Sequence, residues 1–450
     1  MLTGVILCFI LGYITIVFEH PLKLDKTVPA LLMGALCWAL IALGYHEGVL
    51  SIIDTHEHVF VFDPAHAGHD AEEGFVNIVL HHLGKTAEIL IFLIGAMTIV
   101  EIIDLHRGFE ILKSWVNTRS KKKLLWIIGI LGFMLSAIID NLTATIVLVT
   151  LLRKIIHNKE ERLWYAALVV IAANAGGAWS PIGDVTTTML WIGNRVSTMG
   201  LIESLIIPSI ICFAFPTFIA SLLKPFKGDI TLDESNELND AKQLLSSKTI
   251  LFLGLGMIVF VPVFKTITHL PPYMGMMLGL GIVWLVSEYI HPEEDFTEER
   301  KHLYSAHNAL SRIELSSILF FLGILMAVAA LESVVIGDVG ALRYVAEQLQ
   351  EAIPNQDIVI VILGFLSAII DNVPLVAASM GMYTEPLDAK LWHFIAYSAG
   401  TGGSMLIIGS AAGVAAMGME RIDFIWYLKH IAWLAFLGFI AGALVFLLLF

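Results

Sequence analysis

The sequence is poor in cysteine and in charged residues. Its three cysteines, Cys8, Cys37 and Cys212, each lie inside an apolar run, which provides neither a disulfide framework nor the spacing of a metal site. Charged residues make up 15% of the chain, against about a quarter in soluble domains. The formal net charge of −14 at pH 7 argues against nucleic acid, or an anionic lipid surface, as a partner that would need a basic face.

Long hydrophobic runs are abundant instead. Hydrophobic residues make up 57% of the chain and the mean hydropathy is +0.82, which predicts an all-α polytopic membrane protein. Because a helix needs roughly 20 apolar residues to cross a bilayer, roughly ten crossings fit into this length. The first run has no basic region before it and no small-residue cleavage signal, so we expect a retained span. The apolar runs are 2–18, 28–45, 88–104, 200–223, 249–267, 272–290, 314–331 and 424–450.

Lysine and arginine concentrate in the cytoplasmic loops of membrane proteins, so their distribution predicts the topology. Residues 46–84 contain neither, and we place this acidic, histidine-bearing loop outside. The next loop, 105–123, carries six basic residues and is predicted to be cytoplasmic. Counting spans from these two loops puts both termini on the external side.

Two similar segments carry an Asp-Asn pair in the middle of an apolar run, "LGFMLSAIIDN" at 131–141 and "LGFLSAIIDN" at 363–372. The first lies within 124–152, which has basic residues at both ends and is too short for two crossings. A re-entrant hairpin that enters from the cytoplasm and turns at its Asp-Asn pair satisfies both observations. The second copy, within 357–383, has few basic neighbours, so we predict a hairpin that enters from outside.

More of the chain repeats at a similar offset. "ANAGGAWSPIGD" at 173–184 corresponds loosely to "AGTGGSMLIIGS" at 399–410, and Pro and Gly interrupt the first of these spans. The two halves therefore predict an inverted-topology repeat, with two re-entrant hairpins and two broken helices that meet at a midplane site. The predicted divisions are N-terminal spans with the external loop at 1–85, a first repeat at 86–227, a cytoplasmic connector at 228–248 and a second repeat at 249–450.

Asp140 and Asp371, at the two hairpin tips, need a functional reason to lie in a membrane. An ionised carboxylate at the bilayer centre costs about 2.5–3.5 kcal/mol on insertion scales. Burial disfavours the charged form and a bound cation favours it, so a proton and a cation compete for the same oxygens. For Na⁺ or Li⁺ we predict ligands from Asp140, Asn141, Asp371 and Asn372. The full predicted cation and proton site is Asp140, Asn141, Thr143, Asn174, Ser180, Asp184, Thr186, Thr187, Ser367, Asp371, Asn372 and Ser404.

The paired "SAIIDN" motifs, the stretch "GGAWSPIGDVTTTMLW" and the acidic histidine-bearing loop resemble the NhaD-type sodium/proton antiporters of the ion transporter superfamily, over nearly the whole chain. The resemblance implies exchange of Na⁺ or Li⁺ for H⁺ by alternating access in the bacterial cytoplasmic membrane. It also implies a homodimer, in which a scaffold domain holds a mobile domain that carries the hairpins and broken helices. We expect no cofactor and no enzymatic activity.

A Na⁺-coupled anion transporter of the dicarboxylate or arsenite type, from the same superfamily, is the alternative function. The related dicarboxylate symporters carry Ser-Asn-Thr at both tips, whereas this chain reads Asp-Asn-Leu at the first tip and Asp-Asn-Val at the second. The change replaces a neutral ligand by one that binds protons. Pro374 stands where the first tip has Thr143, so the two tips do not supply the same ligands.

Some of these residues could instead have purely structural roles. Asp184 could cap the helix that begins after it, and Ser367 or Ser404 could simply hydrogen-bond across helices. Paired buried aspartates also occur in intramembrane proteases, but the required Gly-x-Gly-Asp motif is absent. The loop cluster is more readily a solvated acidic loop than a metal site. Its members are His56, His58, Asp63, His66, His69, Asp70 and Glu72.

Overall fold

A computed structural model describes most of the chain. The described residues are 1–54, 58–62, 69–112, 116, 118–230, 244–292 and 304–450, without the side chains of residues 20, 21 and 69–72. The loop histidines His56 and His66 and the loop acid Asp63 lie outside these ranges. His58 lies inside them, and its Nδ1 atom is 3.2 Å from Asp54 Oδ2. The rest of the predicted loop cluster has no described side chains.

The described chain is almost wholly helical. The α-helices are Leu2–Val17, Glu19–Leu22, Thr27–His46, His69–Leu105, Lys121–Ile139, Asn141–Ile155, Lys159–Gly177, Val185–Ile192, Thr198–Leu222, Ser247–Thr268, Pro272–Tyr289, Ala306–Leu310, Leu315–Ser333, Ala341–Ala352, Gln356–Ser367, Asn372–Met382, Lys390–Gly402, Ala411–Glu420, Phe424–His430 and Ala432–Leu449. Short 3₁₀ helices are Gly108–Glu110 and Lys224–Phe226, and two-residue strands are Ile52–Ile53, Val59–Phe60, Val335–Ile336 and Val339–Gly340.

Seven of the described helices are long and apolar enough to cross a membrane, or eight if the bent pair Ala341–Ala352 and Gln356–Ser367 is counted as one span. The helices Leu2–Val17 and Asn372–Met382 are shorter but also apolar. This confirms the prediction of an all-α, multi-pass membrane protein. One predicted run is wrong in detail, because 424–450 is divided at Ile431 into the helices Phe424–His430 and Ala432–Leu449.

Contacts group the chain into two compact units. The first consists of Met1–Ile91, Glu314–Val359 and Val373–Pro386. Within it, Thr27–His46 packs on Leu315–Ser333 at a close crossing, where a Cβ on Gly34 would lie 2.7 Å from the Gly323 carbonyl oxygen. Two small antiparallel strand pairs are joined by a bridge between Ile52 and Val334.

The second unit consists of Phe92–Ile313, Ile360–Asn372 and Leu387–Phe450. It contains both Asp-Asn tips and both broken helices predicted from the repeat. In the first copy the helix pair Lys121–Ile139 and Asn141–Ile155 folds back on itself at Asp140, since a Cβ on Gly132 would lie 3.1 Å from Leu148 Cδ1. In the second copy the helices are interrupted at 368–371.

Each half also contains a broken span, which is a pair of helices separated by an irregular segment. Broken span 1 is Lys159–Gly177 and Val185–Ile192, and broken span 2 is Lys390–Gly402 and Ala411–Glu420. The interruptions fall at 178–184 and 403–410, where the aligned repeat places them.

The two broken spans run in opposite directions and cross at their interruptions. Arg162, near the start of broken span 1, donates to Glu420, the last residue of broken span 2. At the opposite end Asp388, just before broken span 2, accepts from the Ser197 backbone N–H, just after broken span 1. This antiparallel arrangement confirms the inverted repeat predicted from the sequence.

Candidate functional site

The first tip is organised by Asp140, which lies between the two helices of its pair. Its φ of 80° is in the left-handed region, which a non-glycine residue adopts only when its surroundings hold it there. The half-buried side chain caps the next helix, because Oδ1 accepts from the Thr143 N–H at 2.8 Å and Oδ2 accepts from the Thr143 hydroxyl at 2.9 Å. The chain therefore reverses at a carboxylate.

Asp184 receives hydrogen bonds from both tips. The carboxylate is 2% exposed, and the Asn141 side-chain amide donates to it at 2.6 Å. The Asn372 amide, from the second tip, approaches its two oxygens at 3.3 and 3.4 Å. Asp184 also caps the helix Val185–Ile192, since Oδ1 accepts from the backbone N–H and the hydroxyl of Thr186, both at 2.9 Å. The residue is thus both a helix cap and the point that joins the two tips.

Asn174 links the first tip to broken span 2. Its side-chain oxygen accepts from the Asn141 amide at 3.1 Å, and its amide donates to the Ser410 hydroxyl at 2.9 Å. Asn174 is fully buried and Ser410 is 1% exposed. Ser410 also accepts from the Gly413 N–H and caps Ala411–Glu420. Through Asn174 the two broken spans are connected at the point where they cross.

Ser410 was missing from the predicted site, although the repeat contained a signal for it. In the alignment of 173–184 with 399–410, Ser410 occupies the position of Asp184. Both residues cap the second helix of their broken span, and both accept a hydrogen bond from a buried asparagine.

The other predicted residues lie near this network, and their hydroxyls form hydrogen bonds with backbone groups. Ser367 donates to the Ala399 carbonyl at 2.7 Å, and its repeat counterpart Ser136 donates to the Ala173 carbonyl at 2.6 Å. The remaining predicted hydroxyls have partners close by in the sequence. Thr187 donates to the Asp184 carbonyl, Ser404 donates to the Thr401 carbonyl, and Ser180 accepts from the Ile182 N–H at 3.4 Å.

Asp184 lies within electrostatic range of two other acidic side chains. Asp140 interacts with Asp184, and Asp184 interacts with the half-buried Asp371. In the described part of the chain, no group of three or more His, Cys, Asp or Glu side chains is arranged to hold a metal ion. An alkali ion at this position would therefore need neutral oxygens as well as carboxylates, and asparagine side chains and broken-helix carbonyls are of that kind.

Glycines bring the breaks against the tips. Gly183 and Gly409 precede Asp184 and Ser410, and a Cβ would lie 2.7 Å from the Ser136 carbonyl oxygen at Gly183 and 2.6 Å from the Ala368 carbonyl oxygen at Gly409. Backbone cannot move aside as a flexible side chain can. These glycines thus fix how closely each break approaches its own tip.

We expect Gly183→Ala to destabilise the protein, because the added methyl group must push the break away from the tip. The cost should be about 1–3 kcal/mol. The measurement is the midpoint of thermal unfolding in detergent. Gly418→Ala is the matched control, since a Cβ there meets nothing within 4 Å, and its unfolding midpoint should not fall. Equal midpoints for the two variants would contradict the packing described.

The fold and these buried carboxylates define a multi-pass membrane transporter, and comparison with known proteins agrees. The family described as "Citrate transporter" matches residues 13–393. The YdaH transporter of Alcanivorax borkumensis has a similar fold, with a TM-score of 0.61 at 12% identity, covering 94% of this chain and 97% of that one.

Sequence relatives are more specific. Sodium/proton antiporter 1 of Arabidopsis thaliana is 44% identical over 439 residues, covering 97% of this chain and 70% of the relative. The Na⁺/H⁺ antiporter NhaD of Alkalimonas amylolytica is 31% identical over 458 residues, covering 96% of this chain and 88% of the relative. The chain belongs to the NhaD-type sodium/proton antiporters, within the wider family that the citrate transporter description covers.

Proposed function

We propose that this protein is a secondary active antiporter that exchanges Na⁺ or Li⁺ for H⁺ at the crossing of the two broken spans. The observation that carries the proposal is the hydrogen bonding of one buried carboxylate, Asp184, by an asparagine from each tip. A ligand that alters the charge of this region acts on both tips at once. The site is therefore suited to couple ion occupancy to the arrangement of both halves.

The charges at the site need a counter-charge. The hydrogen-bond donors to Asp140 and Asp184 are hydroxyl, amide and backbone N–H groups, and no Lys, Arg or His in the described chain forms an ion pair with either residue. A low-dielectric site with like charges favours binding of a proton or a cation. Since either one neutralises the same oxygens, their binding is competitive, and competition at a site exposed alternately to two sides produces exchange.

We assign different roles to the three acids. Asp184 is nearly inaccessible, and its oxygens already accept hydrogen bonds from both tips. We therefore propose that it holds the two tips together and does not carry the exchanged ion. Asp140 and Asp371 are half-buried at the tips and exchange the proton and the cation. Asn141, Asn372 and Thr143 supply neutral oxygens to the cation. Asn174 and Thr186 hold neighbouring side chains of the site in position. The hydroxyls of Ser180, Thr187, Ser367 and Ser404 hold the surrounding backbone.

Opposite access to the two sides follows from the inverted repeat. The first tip would open from the cytoplasm and the second from outside, with both termini external, as the distribution of basic loops predicts. We propose that the repeats are 86–227 and 249–450, joined by the connector 228–248 and preceded by 1–85. We propose a homodimer in the bacterial cytoplasmic membrane.

The alternative is a Na⁺-coupled anion transporter, and the family description that mentions citrate keeps it worth testing. Three relatives that align with 96–98% of this chain are sodium/proton antiporters, which does not favour the anion transporter. The residues at the tips also disfavour an anion transporter. An acidic residue at each tip repels the carboxylates of citrate or a dicarboxylate.

The two functions are separated by one experiment in everted membrane vesicles. A pH gradient is established by respiration, and NaCl or LiCl is then added. An antiporter dissipates the gradient within seconds, whereas vesicles without the protein keep it. Na⁺-dependent uptake of labelled citrate or succinate, with no effect of NaCl on the gradient, would contradict antiport and support the alternative.

Asn174→Ala should weaken Na⁺ binding more than it slows maximal exchange. The variant removes two buried hydrogen bonds that fix the Asn141 amide and Ser410. At about 1 kcal/mol each, or about 2 kcal/mol together, the loss predicts a rise of roughly thirtyfold in the Na⁺ concentration for half-maximal exchange. Ser410→Ala is the control, because it removes only one of the two bonds and should produce a smaller rise. An unchanged half-maximal concentration in both variants would show that the network does not position the site.

A further inference from the structure

A cluster of basic side chains lies at one end of the second unit, away from the candidate site. Two loops that are about a hundred residues apart in sequence meet there through backbone pairing. Ser120 forms a β-bridge with Asp229, and the Ile230 N–H donates to the Arg119 carbonyl at 2.8 Å. The exposed basic residues of these loops are Arg119, Lys122, Lys123, Lys224 and Lys227. We call this set the basic cluster.

Buried aromatic side chains pack under the basic cluster. Phe226, between two of its lysines, is fully buried, and its ring centroid lies 5.0 Å from that of Tyr165. The Tyr165 hydroxyl donates to the Lys121 carbonyl at 2.8 Å. A preference for positive charge on one side of the membrane explains why each loop is basic. It does not require the two loops to be paired and fixed on a common aromatic base.

Exposed apolar side chains form a stripe at the end of the helix that precedes Lys224. Phe215, Phe218 and Leu222 are spaced three and four residues apart, on one face of the helix Thr198–Leu222, and are 42%, 56% and 54% exposed. Lys224 follows directly. The edge-to-face contact between Trp164 and Trp426, at a centroid distance of 5.4 Å, lies beside Phe226. Tryptophan is enriched at the level of lipid headgroups.

We propose that the basic cluster binds the headgroup of an anionic phospholipid, whose acyl chains lie along the stripe of Phe215, Phe218 and Leu222. Clusters of four to eight Lys and Arg residues beside a spanning helix attract anionic lipid, and each contributes attraction near the surface. The overall charge of −14 argued against an anionic lipid partner. The proposal departs from that expectation, because five exposed basic residues lie in one cluster despite the negative net charge.

One competing occupant lies in the chain itself. The connector after Ile230 carries Asp233, Glu234, Glu237 and Asp240, and it is outside the described residues. If these acids neutralised the basic cluster, lipid would bind only after they were removed. The exposed Asp229 is the one acid within the paired segments, and Glu161 is paired with Lys121 at 2.7 Å. The binding experiment must therefore include a variant with a neutral connector.

The test measures binding of phosphatidylglycerol to the purified full-length protein in detergent, by native mass spectrometry and by thermal stabilisation. Phosphatidylcholine and inorganic phosphate are the comparison probes. We expect saturable binding of phosphatidylglycerol, with weaker binding of phosphatidylcholine and no stabilisation by phosphate. A variant with Lys122→Gln, Lys123→Gln, Lys224→Gln and Lys227→Gln should bind phosphatidylglycerol on the order of tenfold or more weakly.

Two further variants complete the test. The first neutralises the connector with Asp233→Asn, Glu234→Gln, Glu237→Gln and Asp240→Asn, and should bind phosphatidylglycerol like the unaltered protein. The charge-matched control, with Lys23→Gln, Lys85→Gln, Lys159→Gln and Lys248→Gln, removes four exposed lysines elsewhere and should bind like the unaltered protein. Equal binding by both four-lysine variants would overturn the proposal. So would equal stabilisation by inorganic phosphate, or binding that requires a neutral connector. The result does not depend on ion exchange, so it stands apart from the proposed antiport.

Discussion

Asp140→Asn and Asp371→Asn are each expected to reduce Na⁺-dependent dissipation of a pH gradient to the level of vesicles without the protein. Asparagine keeps the shape of the side chain and can still accept a hydrogen bond, but it cannot exchange a proton for a cation. The loss of a charge-assisted interaction of about 3 kcal/mol corresponds to a reduction of more than about a hundredfold. Exchange is measured in everted vesicles, with the amount of protein in the membrane determined in parallel.

The control for this prediction is Asp338→Asn. Asp338 is an exposed aspartate in the turn between the strands Val335–Ile336 and Val339–Gly340, distant in sequence from either tip. The substitution removes the same chemical group and should leave exchange unchanged. Normal exchange by either tip variant, at normal protein levels, would show that the tip carboxylate does not carry the exchanged ion.

Glu420→Ala is expected to produce the largest loss of stability among single substitutions outside the candidate site. The Glu420 side chain is 1% exposed, and its two oxygens accept from Arg153 at 2.7 Å and from Arg162 at 2.8 Å. Removing the carboxylate leaves two guanidinium groups, one of them 15% exposed, without their partner. Breaking a buried pair in this way costs about 3–5 kcal/mol, and we expect the lower end because Arg153 is partly exposed. The readout is the thermal unfolding midpoint in detergent.

Glu161→Ala is the matched comparison for Glu420→Ala. Its partner Lys121 is 2.7 Å away, but the carboxylate is 27% exposed, so solvent screens the pair and the loss should be about 1 kcal/mol or less. If both substitutions lower the midpoint by the same amount, Glu420 does not hold together the first helix pair and the two broken spans. Combining Glu420→Ala with Arg162→Ala should cost less than the sum of the single substitutions, because the two residues are in direct contact.

The interruptions of the helices could be predicted from the sequence. A charged residue at the centre of an apolar run and a Pro-Gly stretch within a span are local signals, and the structure breaks the helices at both. The division at Ile431 was missed, because 424–450 contains no glycine, proline or acidic residue near that position that would mark a break.

The contacts that cross the repeat could not be predicted. Asn174 and Ser410 are 236 residues apart, and Arg153 and Glu420 are 267 apart. Their pairing depends on the antiparallel crossing of two broken spans, and no single stretch of sequence encodes it. In the sequence, Glu420 resembles any polar residue at a helix end. In the folded chain it pairs with Arg153 and Arg162 and so joins the two halves of the repeat. Ser367 was predicted from its position near a tip to bind the cation or proton. In the structure its hydroxyl donates to the Ala399 carbonyl.

Competition between Na⁺ and H⁺ for the tip carboxylates is the central claim, and it is measured most directly without transport. Purified protein in detergent is titrated with NaCl by isothermal calorimetry, in two buffers of equal pH and different ionisation enthalpy. The account predicts that Na⁺ binding releases protons in the unaltered protein, and that Asp140→Asn and Asp371→Asn reduce both binding and release. Na⁺ binding of undiminished affinity with no proton release would contradict it.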